Sequence, residues 1–195
     1  KHDLTQGLTA QSAGHAMAFH PDWIVPDWPA PAHIRAVFTT RAGGVSSPPF
    51  DSLNLGDHVR DMPGSVSANR KIVHDALGVR PVYLQQVHGT LTLPVDGSTP
   101  GGAVADAAVS TKGGVACTVM VADCLPVLLT DDEGTVVAAA HAGWRGLQQG
   151  VLEQVFAGFR GSFRPPALAG YARVATNSIA SATLAWLGPC IGPQA

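Results

Sequence analysis

The sequence predicts an α/β (α+β) fold, a single domain in which mixed, buried β-sheets are flanked by helices. Three observations support this class. Apolar runs of strand length recur between about residues 80 and 140, and stretches with helical periodicity lie on either side of them. In addition, 46% of the 195 residues are hydrophobic and only 13% are charged. Such a chain buries a large interior, and its length suits one core.

The first half of the domain follows from β-branched runs and helix-end signals. Residues 1–33 are rich in His, Pro, Gly and Trp without a clean period, which predicts a loosely structured arm before a domain at 34–195. Ser65 is suited to cap a helix that ends before Gly78. In chain order, the pattern predicts a strand at 33–40, a long polar loop at 41–56, a helix from about 65 to 77, a strand at 82–87 and a surface loop at 94–103.

The second half is denser in predicted strands. Residues 115–121 are apolar on both faces, which is typical of a strand covered on both sides. Cys117 lies in the middle of this run and fits a buried, inert thiol. The pattern predicts strands at 107–110, 115–121, 126–130 and 135–140, a tight turn at 131–134, a helix from about 147 to 159, a connector at 160–180, a short strand at 184–187 and a turn at 188–193.

Charge and cysteine content narrow the functional classes. The formal net charge is −2 and the charges are scattered, so we expect no nucleic-acid stripe and no polybasic membrane anchor. Three cysteines do not make a disulfide framework and suit a reducing compartment. The apolar stretches are interrupted by Asp, Pro or His, and no signal peptide is visible. These features predict a soluble, cytoplasmic, monomeric protein.

Three residues carry the strongest chemical signal. His88, Cys124 and His141 each follow an apolar, strand-like run and open a turn, 36 and 17 residues apart. Two imidazoles and a thiolate predict a zinc site with one open position, assembled by the fold rather than by a local finger. The alternatives are a small buried Cys124 and a core His141, while His88 is the weaker signal by itself. Asp123 beside Cys124, at a strand break, favours a functional thiolate.

Two arginines predict anion or ring contacts. Arg41 follows a predicted strand and precedes Gly43 and Gly44, so it suits a phosphate or carboxylate clamp, although a plain surface arginine fits equally well. Trp144 and Arg145 suit stacking on a ring or holding an anion, or an ordinary surface. The sequence contains no Walker lysine loop, Rossmann fingerprint, Gly-x-Ser-x-Gly elbow or His-Glu-x-x-His helix.

Several motifs occur together in an order that identifies a family. They lie at residues 39–46, 52–56, 69–70, 86–89, 106–107, 122–126, 140–146 and 188–193. Over residues 34–195 the chain resembles the YfiH-like family, also described as multicopper polyphenol oxidoreductases or laccase-domain proteins. The resemblance implies a fold like the catalytic domain of cytotoxic necrotizing factor. Family members continue beyond the 188–193 turn, so it also implies a further segment after Ala195.

The resemblance also implies an activity and site residues. It implies phosphorolysis of adenosine, inosine and methylthioadenosine, with adenosine deamination as a second activity, and zinc bound by His88, Cys124 and His141. On this basis we expect Arg41 to hold phosphate. Asn54, Gln86 and Arg145 are expected to contact substrate. Asp123 and Asp106 are expected to orient ligands or transfer protons.

Three other functional classes stay open. Some bacterial members resemble a peptidoglycan editing factor, which suits a metal-free hydrolase with Cys124 as nucleophile and His141 as base. A multicopper oxidase needs many histidines, typically in His-x-His pairs, and the sequence has no such pair, so copper is the less favoured metal. A partner-binding domain with an inert pocket is the non-enzymatic alternative.

Overall fold

The computed structural model describes residues 19–159 and 182–192. Within them the chain forms three helices and seven strands. In order these are α1 (Pro63–Leu77), β1 (Arg80–Val82), β2 (Thr92–Pro94), β3 (Ala107–Ser110), β4 (Val115–Cys117), β5 (Leu125–Asp131), β6 (Val137–Ala142), α2 (Trp144–Gln149), α3 (Val151–Phe159) and β7 (Thr183–Leu187). The mixed α/β class predicted from the sequence is confirmed.

The described strands form two sheets. The larger sheet has the order β2-β3-β6-β5-β7, with β2 parallel to β3 and the other pairs antiparallel. The smaller sheet pairs β1 with β4 in parallel. The β5–β6 hairpin is closed by the Asp131 carboxylate, which accepts the backbone N–H groups of Thr135 at 2.6 Å and Val136 at 3.1 Å. Its register places Pro126 opposite His141.

The main core lies between the larger sheet and α3. It is built from small and β-branched side chains, which allow the helix to pack closely against the strands. Val151 and Val155 on α3 are fully buried, as are Ala140 and Val109 on the sheet. A second cluster of buried apolar side chains joins the two sheets and includes Val82, Leu93, Ala108 and Val115. These cores hold the ends of β5 and β6 in fixed positions.

The predicted helix at 65–77 is confirmed, with a different start. The helix begins at Pro63 with Met62 as N-cap, so Ser65 is not the cap. Proline suits the first helical position because its missing N–H has no partner there in any case. Gly78 ends the helix in the left-handed conformation at φ +66°, and its N–H donates to the His74 carbonyl. The predicted stop is therefore confirmed.

Three predicted elements differ in the structure. The prediction of a strand at 33–40 is wrong. Within that range only Phe38 forms a β-bridge, an isolated one to Ile24. The strand at 115–121 ends at Cys117, and residues 116–121 are only half-buried. The predicted strand at 82–87 is shifted, since β1 ends at Val82 and Gln85 makes one bridge to Val104. β-branched and aromatic residues form a strand only where a neighbouring strand packs beside them, and that neighbour is distant in the sequence.

The helix predicted at 147–159 is two helices. Gly150 adopts φ +94° and separates α2 from α3, and α2 begins earlier than predicted, at Trp144. The strands predicted at 107–110, 126–130 and 184–187 are present within one residue at either end. The strand predicted at 135–140 runs from Val137 to Ala142 instead. The connector predicted at 160–180 lies outside the described residues.

The described part of the predicted arm contacts the domain. Trp23 is buried with Leu53 and Val73, and its indole N–H donates to the Ala42 carbonyl at 3.1 Å. All three cysteines are free thiols. Among the described residues, none of the helices combines the length and apolar character that crossing a membrane requires.

Candidate functional site

His88, Cys124 and His141 converge in space. One ligand atom from each lies within 4.8 Å of the others, and the Cys124 Sγ is 3.9 Å from the His88 Nε2. The two imidazole rings meet edge to face with centroids 4.7 Å apart. His141 is buried, Cys124 is half-buried and His88 is exposed. The cluster is thus anchored at one side and open at the other.

The β5–β6 hairpin positions two of the three residues. His141 lies near the end of β6, and Cys124 directly precedes β5. Because β6 pairs with β5 so that Leu125 faces Ala142 and Pro126 faces His141, the two side chains meet at one end of the hairpin. The register of a hairpin fixes which side chains share a face, so a slip by one residue would separate them.

His88 comes from a different segment and has unusual backbone geometry. Its φ is +59°, in the left-handed region, where histidine occurs more often than most residues. The backbone N–H groups of Val87, His88 and Gly89 all donate to the carboxylate of Asp106, at 3.2, 2.8 and 2.7 Å. This turn presents the His88 ring toward the hairpin end.

Asp106 also contacts His141. The two side chains form a hydrogen bond of 2.9 Å between Nδ1 and Oδ1, and the His141 backbone N–H donates to the Asp106 carbonyl at 2.7 Å. Burial by itself would raise the pKa of the Asp106 carboxyl. The hydrogen bonds from His141, Gly89, Val87 and His88 outweigh that effect and lower the pKa below its usual range. An ionised carboxylate accepts hydrogen bonds only, so the Nδ1 of His141 carries a proton.

The Cys124 thiol has a raised pKa in the metal-free protein. Burial is the largest cause, followed by a hydrogen bond with Asp123 and by the negative charges of Asp123 and Asp106. Nucleophilic cysteines show the opposite direction, since their surroundings stabilise the thiolate. A cation between the three side chains would remove this penalty, because metal ligation deprotonates a thiol.

The donor set fits a transition-metal ion. Ideal tetrahedral zinc bonds separate neighbouring ligand atoms by about 3.3–3.6 Å. The 3.9 Å between the Cys124 Sγ and the His88 Nε2 is therefore close to a binding distance. Gly143 lines the same space, where an added Cβ would lie 2.9 Å from the Cys124 Sγ and 3.7 Å from the His141 Nε2. Two nitrogens and one sulfur suit zinc, with a fourth position open.

A cavity of about 1250 Å³ opens beside the cluster, and His88, Cys124 and His141 all line it. Four other predicted site residues also line it: Arg41, Asn54, Gln86 and Asp123. Arg145 is not among the lining residues. Its guanidinium lies 5.0 Å from the ring centroid of Trp144, and both side chains are exposed.

The polar groups of Arg41 are partly engaged by its own loop. The guanidinium donates to the Asp51 carbonyl at 2.9 Å, to the Pro49 carbonyl at 3.2 Å and to the Asp51 carboxylate at 3.3 Å. The Arg41 side chain is nevertheless 74% exposed. It is held at the cavity edge and has surface left for a ligand.

Asn54 and Gln86 hold backbone groups in place. The Asn54 amide donates to the Gly56 carbonyl and to Asp61, and its oxygen accepts the Gly56 N–H. Gln86 makes paired 2.7 Å hydrogen bonds to the backbone N–H and carbonyl of Met120. Both amides are therefore already bonded within the fold, although both residues line the cavity.

Sequence reasoning did not single out two cations at the cavity. Arg35 and Lys112 line it, and neither side chain forms a hydrogen bond or ion pair with the described residues. With Arg41 they give the lining three permanent positive charges against one carboxylate, Asp123. No local motif marks Arg35 or Lys112, since each stands alone in its segment. Only the fold brings them to one cavity.

The fold and cluster define a class of protein, a mixed α/β domain with a candidate His-Cys-His metal site at a cavity whose lining carries a net positive charge. Residues 35–195 match a family model described as multi-copper polyphenol oxidoreductase laccase. The chain belongs to this family, and the resemblance to YfiH-like proteins is confirmed.

Relatives of the chain include proteins named as enzymes. The chain is 50% identical over 173 residues to a purine nucleoside phosphorylase of Pseudomonas aeruginosa, an alignment that covers 89% of this chain and 64% of the relative. It is 48% identical over 174 residues to the purine nucleoside phosphorylase YfiH of Escherichia coli, covering 88% of this chain and 65% of that protein. The chain thus spans just under two thirds of the length of these relatives.

Solved structures agree with the fold. A protein from Neisseria meningitidis is 44% identical with a TM-score of 0.72, and the match covers 87% of this chain and 63% of that chain. YlmD from Geobacillus stearothermophilus is 30% identical with a TM-score of 0.68, covering 82% of this chain and 59% of that chain.

Proposed function

We propose that the protein is a zinc-dependent purine nucleoside phosphorylase, acting on adenosine, inosine and methylthioadenosine, with adenosine deamination as a second activity. The observation that carries the proposal is the convergence of His88, Cys124 and His141 within 4.8 Å on the wall of the cavity. Two relatives at 48–50% identity are named purine nucleoside phosphorylases, which supports the phosphorylase class. A purine nucleoside and phosphate are the partners that this activity requires.

The charge of the cavity lining suits a phosphate co-substrate. Arg35, Arg41 and Lys112 line the cavity although the whole chain has a net charge of −2. Low-dielectric walls lined by one sign of charge raise the local concentration of the opposite ion. Arg41 is paired with Asp51, whose side chain is 54% exposed. Exposed pairs of this kind contribute about 0–1 kcal/mol, so a phosphate dianion can replace Asp51 at small cost.

The residues divide the phosphorolysis step between them. Arg41 holds phosphate so that one of its oxygens faces the anomeric carbon of the ribose. A carbon–oxygen bond forms there as the glycosidic carbon–nitrogen bond breaks, and the purine leaves with the electron pair of that bond. We assign to Asp123, which lines the cavity next to Cys124, the relay of a proton from the attacking phosphate to the departing purine nitrogen. We assign substrate contacts to Asn54 and Gln86, which line the cavity.

His88, Cys124 and His141 are the residues that would hold the metal. Zinc held by these three residues would supply Lewis acidity and would lower the pKa of a water to about 7, which is chemistry that suits deamination at the purine amino carbon. His141 contributes its Nε2, since its Nδ1 hydrogen bonds with Asp106. His88 contributes from the exposed side and Cys124 from the hairpin end.

One observation favours a second candidate, a metal-free hydrolase for peptidoglycan precursors. The Cys124 Sγ lies 3.9 Å from an imidazole nitrogen, as in a cysteine–histidine pair. The imidazole nitrogen at this distance is the Nε2 of His88, and the predicted base, His141, has a ring nitrogen within 4.8 Å of the sulfur. The raised pKa of Cys124 disfavours a free thiolate nucleophile, so we rank this function second. Copper ranks below zinc, because the described residues provide one cluster and not the several that multicopper oxidation needs.

The proposal is tested by metal content and product identity measured on the same preparation. We expect about one zinc per chain, and conversion of adenosine plus phosphate to adenine and ribose 1-phosphate. Inosine formed from adenosine without phosphate would show the deaminase activity. Removal of zinc by a chelator should abolish both reactions, and readdition should restore them. Full activity in a zinc-free preparation would refute metal dependence.

Cys124→Ala is expected to lose zinc and both activities. Cys190→Ala is the matched control, because Cys190 is an exposed free thiol that does not line the cavity. It should retain zinc and turnover at the level of the unmodified protein. Retention of both activities in Cys124→Ala would reject the ligand assignment, whereas activity loss with zinc retained would favour the nucleophile role.

A further inference from the structure

We infer that Asp106 is a positioning residue that holds both imidazoles of the cluster in their ligating orientation before a metal binds. This inference rests on the proposed metal-dependent function. Asp106 directly precedes β3, is fully buried and belongs to neither segment that carries the histidines. Its carboxylate therefore links the segment that carries His88 to the strand that carries His141.

The hydrogen-bond geometry of this carboxylate is saturated. Its Oδ1 accepts the His88 backbone N–H at 2.8 Å and contacts the His141 Nδ1 at 2.9 Å. Its Oδ2 accepts the N–H groups of Gly89 at 2.7 Å and Val87 at 3.2 Å. A carboxylate offers about four lone-pair sites, so each of these four donors has its own. The arrangement has no capacity to spare.

The consequence for each histidine is different. At His141 the bond fixes the ring tautomer and rotation, which leaves Nε2 as the free nitrogen facing the cluster. At His88 the bonds hold three successive N–H groups and so maintain the left-handed backbone at φ +59°. A non-glycine residue stays in that region only where its surroundings determine it. Loss of Asp106 would release both rings together.

Asparagine cannot replace this aspartate. Each carboxylate oxygen accepts two donors, so an amide NH₂ group in either orientation would face two N–H donors. The substitution keeps the size of the side chain and replaces one accepting oxygen with an NH₂ donor. Asp106→Asn therefore tests specifically whether the carboxylate holds the two histidine segments. We expect it to weaken metal binding about 10–100-fold, the range found when an outer partner of a ligating histidine is removed.

The hairpin supplies a matched control. Asp131 is also buried, and its carboxylate accepts the backbone N–H groups of Thr135 and Val136 and the Thr135 hydroxyl. It lies at the opposite end of β5 from Cys124 and contacts none of the three ligands. Asp131→Asn therefore removes a comparable buried acceptor and should lower thermal stability while changing metal affinity less than about twofold.

The experiment titrates metal-free protein with Co²⁺, followed by its thiolate-to-cobalt charge-transfer absorption, and with Zn²⁺ in competition with a chromophoric chelator. We expect Asp106→Asn to bind both ions about 10–100-fold more weakly, with Asp131→Asn close to the unmodified protein. Unchanged affinity and spectrum in Asp106→Asn would overturn the inference. Equal weakening in both variants would also overturn it, since the loss would then reflect general destabilisation.

A measurement on the unmodified, metal-free protein covers the case in which Asp106→Asn does not fold. Long-range ¹H–¹⁵N spectra of the histidine rings should show His141 with its proton on Nδ1. A proton on Nε2 instead would overturn the positioning role. If the unmodified protein binds neither Co²⁺ nor Zn²⁺, the proposed metal-dependent function fails, while the ring tautomer still decides whether Asp106 orients His141.

Discussion

Gly143→Ala should weaken metal binding by filling space beside His88, Cys124 and His141, with little effect on the stability of the fold. Gly143 precedes α2 with φ −64° and ψ 158°, a conformation that alanine adopts without strain. The added Cβ would lie 2.9 Å from the Cys124 Sγ, 3.2 Å from the His88 Cδ2 and 3.7 Å from the His141 Nε2. The methyl group thus meets all three ligand side chains at once.

The magnitude follows from these distances. Non-bonded heavy atoms prefer about 3.5–4.0 Å, so the sulfur must move by about 0.6–1.1 Å. Metal–ligand distances tolerate only about 0.2 Å, and the displacement is several times larger. We therefore expect metal affinity to fall at least about tenfold, which is about 1.4 kcal/mol. The fold itself should lose only about 0.5–1 kcal/mol, because alanine is a poorer N-cap than glycine.

The assay is Co²⁺ and Zn²⁺ titration alongside thermal unfolding of the metal-free protein. Gly64→Ala is the control, since nothing lies within 4 Å of its added Cβ and Gly64 is within α1. That variant should bind metal normally and gain about 0.5–1 kcal/mol of stability. Gly143→Ala protein that binds both ions as tightly as the unmodified protein would refute the steric reasoning.

Two further predictions concern Arg41 and Asp61. Arg41→Ala should raise the KM for phosphate about 10–100-fold, because a hydrogen bond to a charged group contributes about 1.5–3 kcal/mol. Arg80→Ala is the control and should leave that KM unchanged, because the Arg80 guanidinium donates to the Asp96 and Thr99 carbonyls. An equal rise in both variants would reject the phosphate role. Hydrogen bonds from Ser46 and Asn54 lower the pKa of Asp61 below the ordinary value of 3.8. Its contribution to stability is therefore present above pH 3.8 and is lost as pH falls through the lower folded-state pKa. Urea unfolding of Asp61→Asn and the unmodified protein should converge below that pH, and a constant difference down to about pH 2 would contradict the assignment.

Local pattern was sufficient to single out the three residues that the structure brings within 4.8 Å of one another. In the sequence, His88, Cys124 and His141 each follow an apolar, strand-like run and open a turn, with His88 the weaker signal by itself. Helix α1 was equally accessible, because proline, glycine and apolar spacing mark its length within a few residues. The α/β class followed from the same periodicities.

The hydrogen-bond and strand-pairing partners of these residues could not be predicted from the sequence in the same way. Gln86 and Asn54 have the chemistry of substrate contacts, yet both bond backbone groups within the fold. Arg41 is paired with Asp51 because the polar loop turns back on itself. The strand predicted at 33–40 failed since β-branched residues need a neighbouring strand, and only Phe38 has one, at a single bridge.

The sequence by itself determined the inventory of the site, two imidazoles and a thiol, since residue type and local period are properties of the chain alone. The tertiary structure decided how they meet. The register that sets Pro126 against His141 and the buried Asp106 that binds both histidine segments depend on pairings across tens of residues. Such pairings arise from burial and hydrogen-bond satisfaction in the folded core, and no local pattern encodes them.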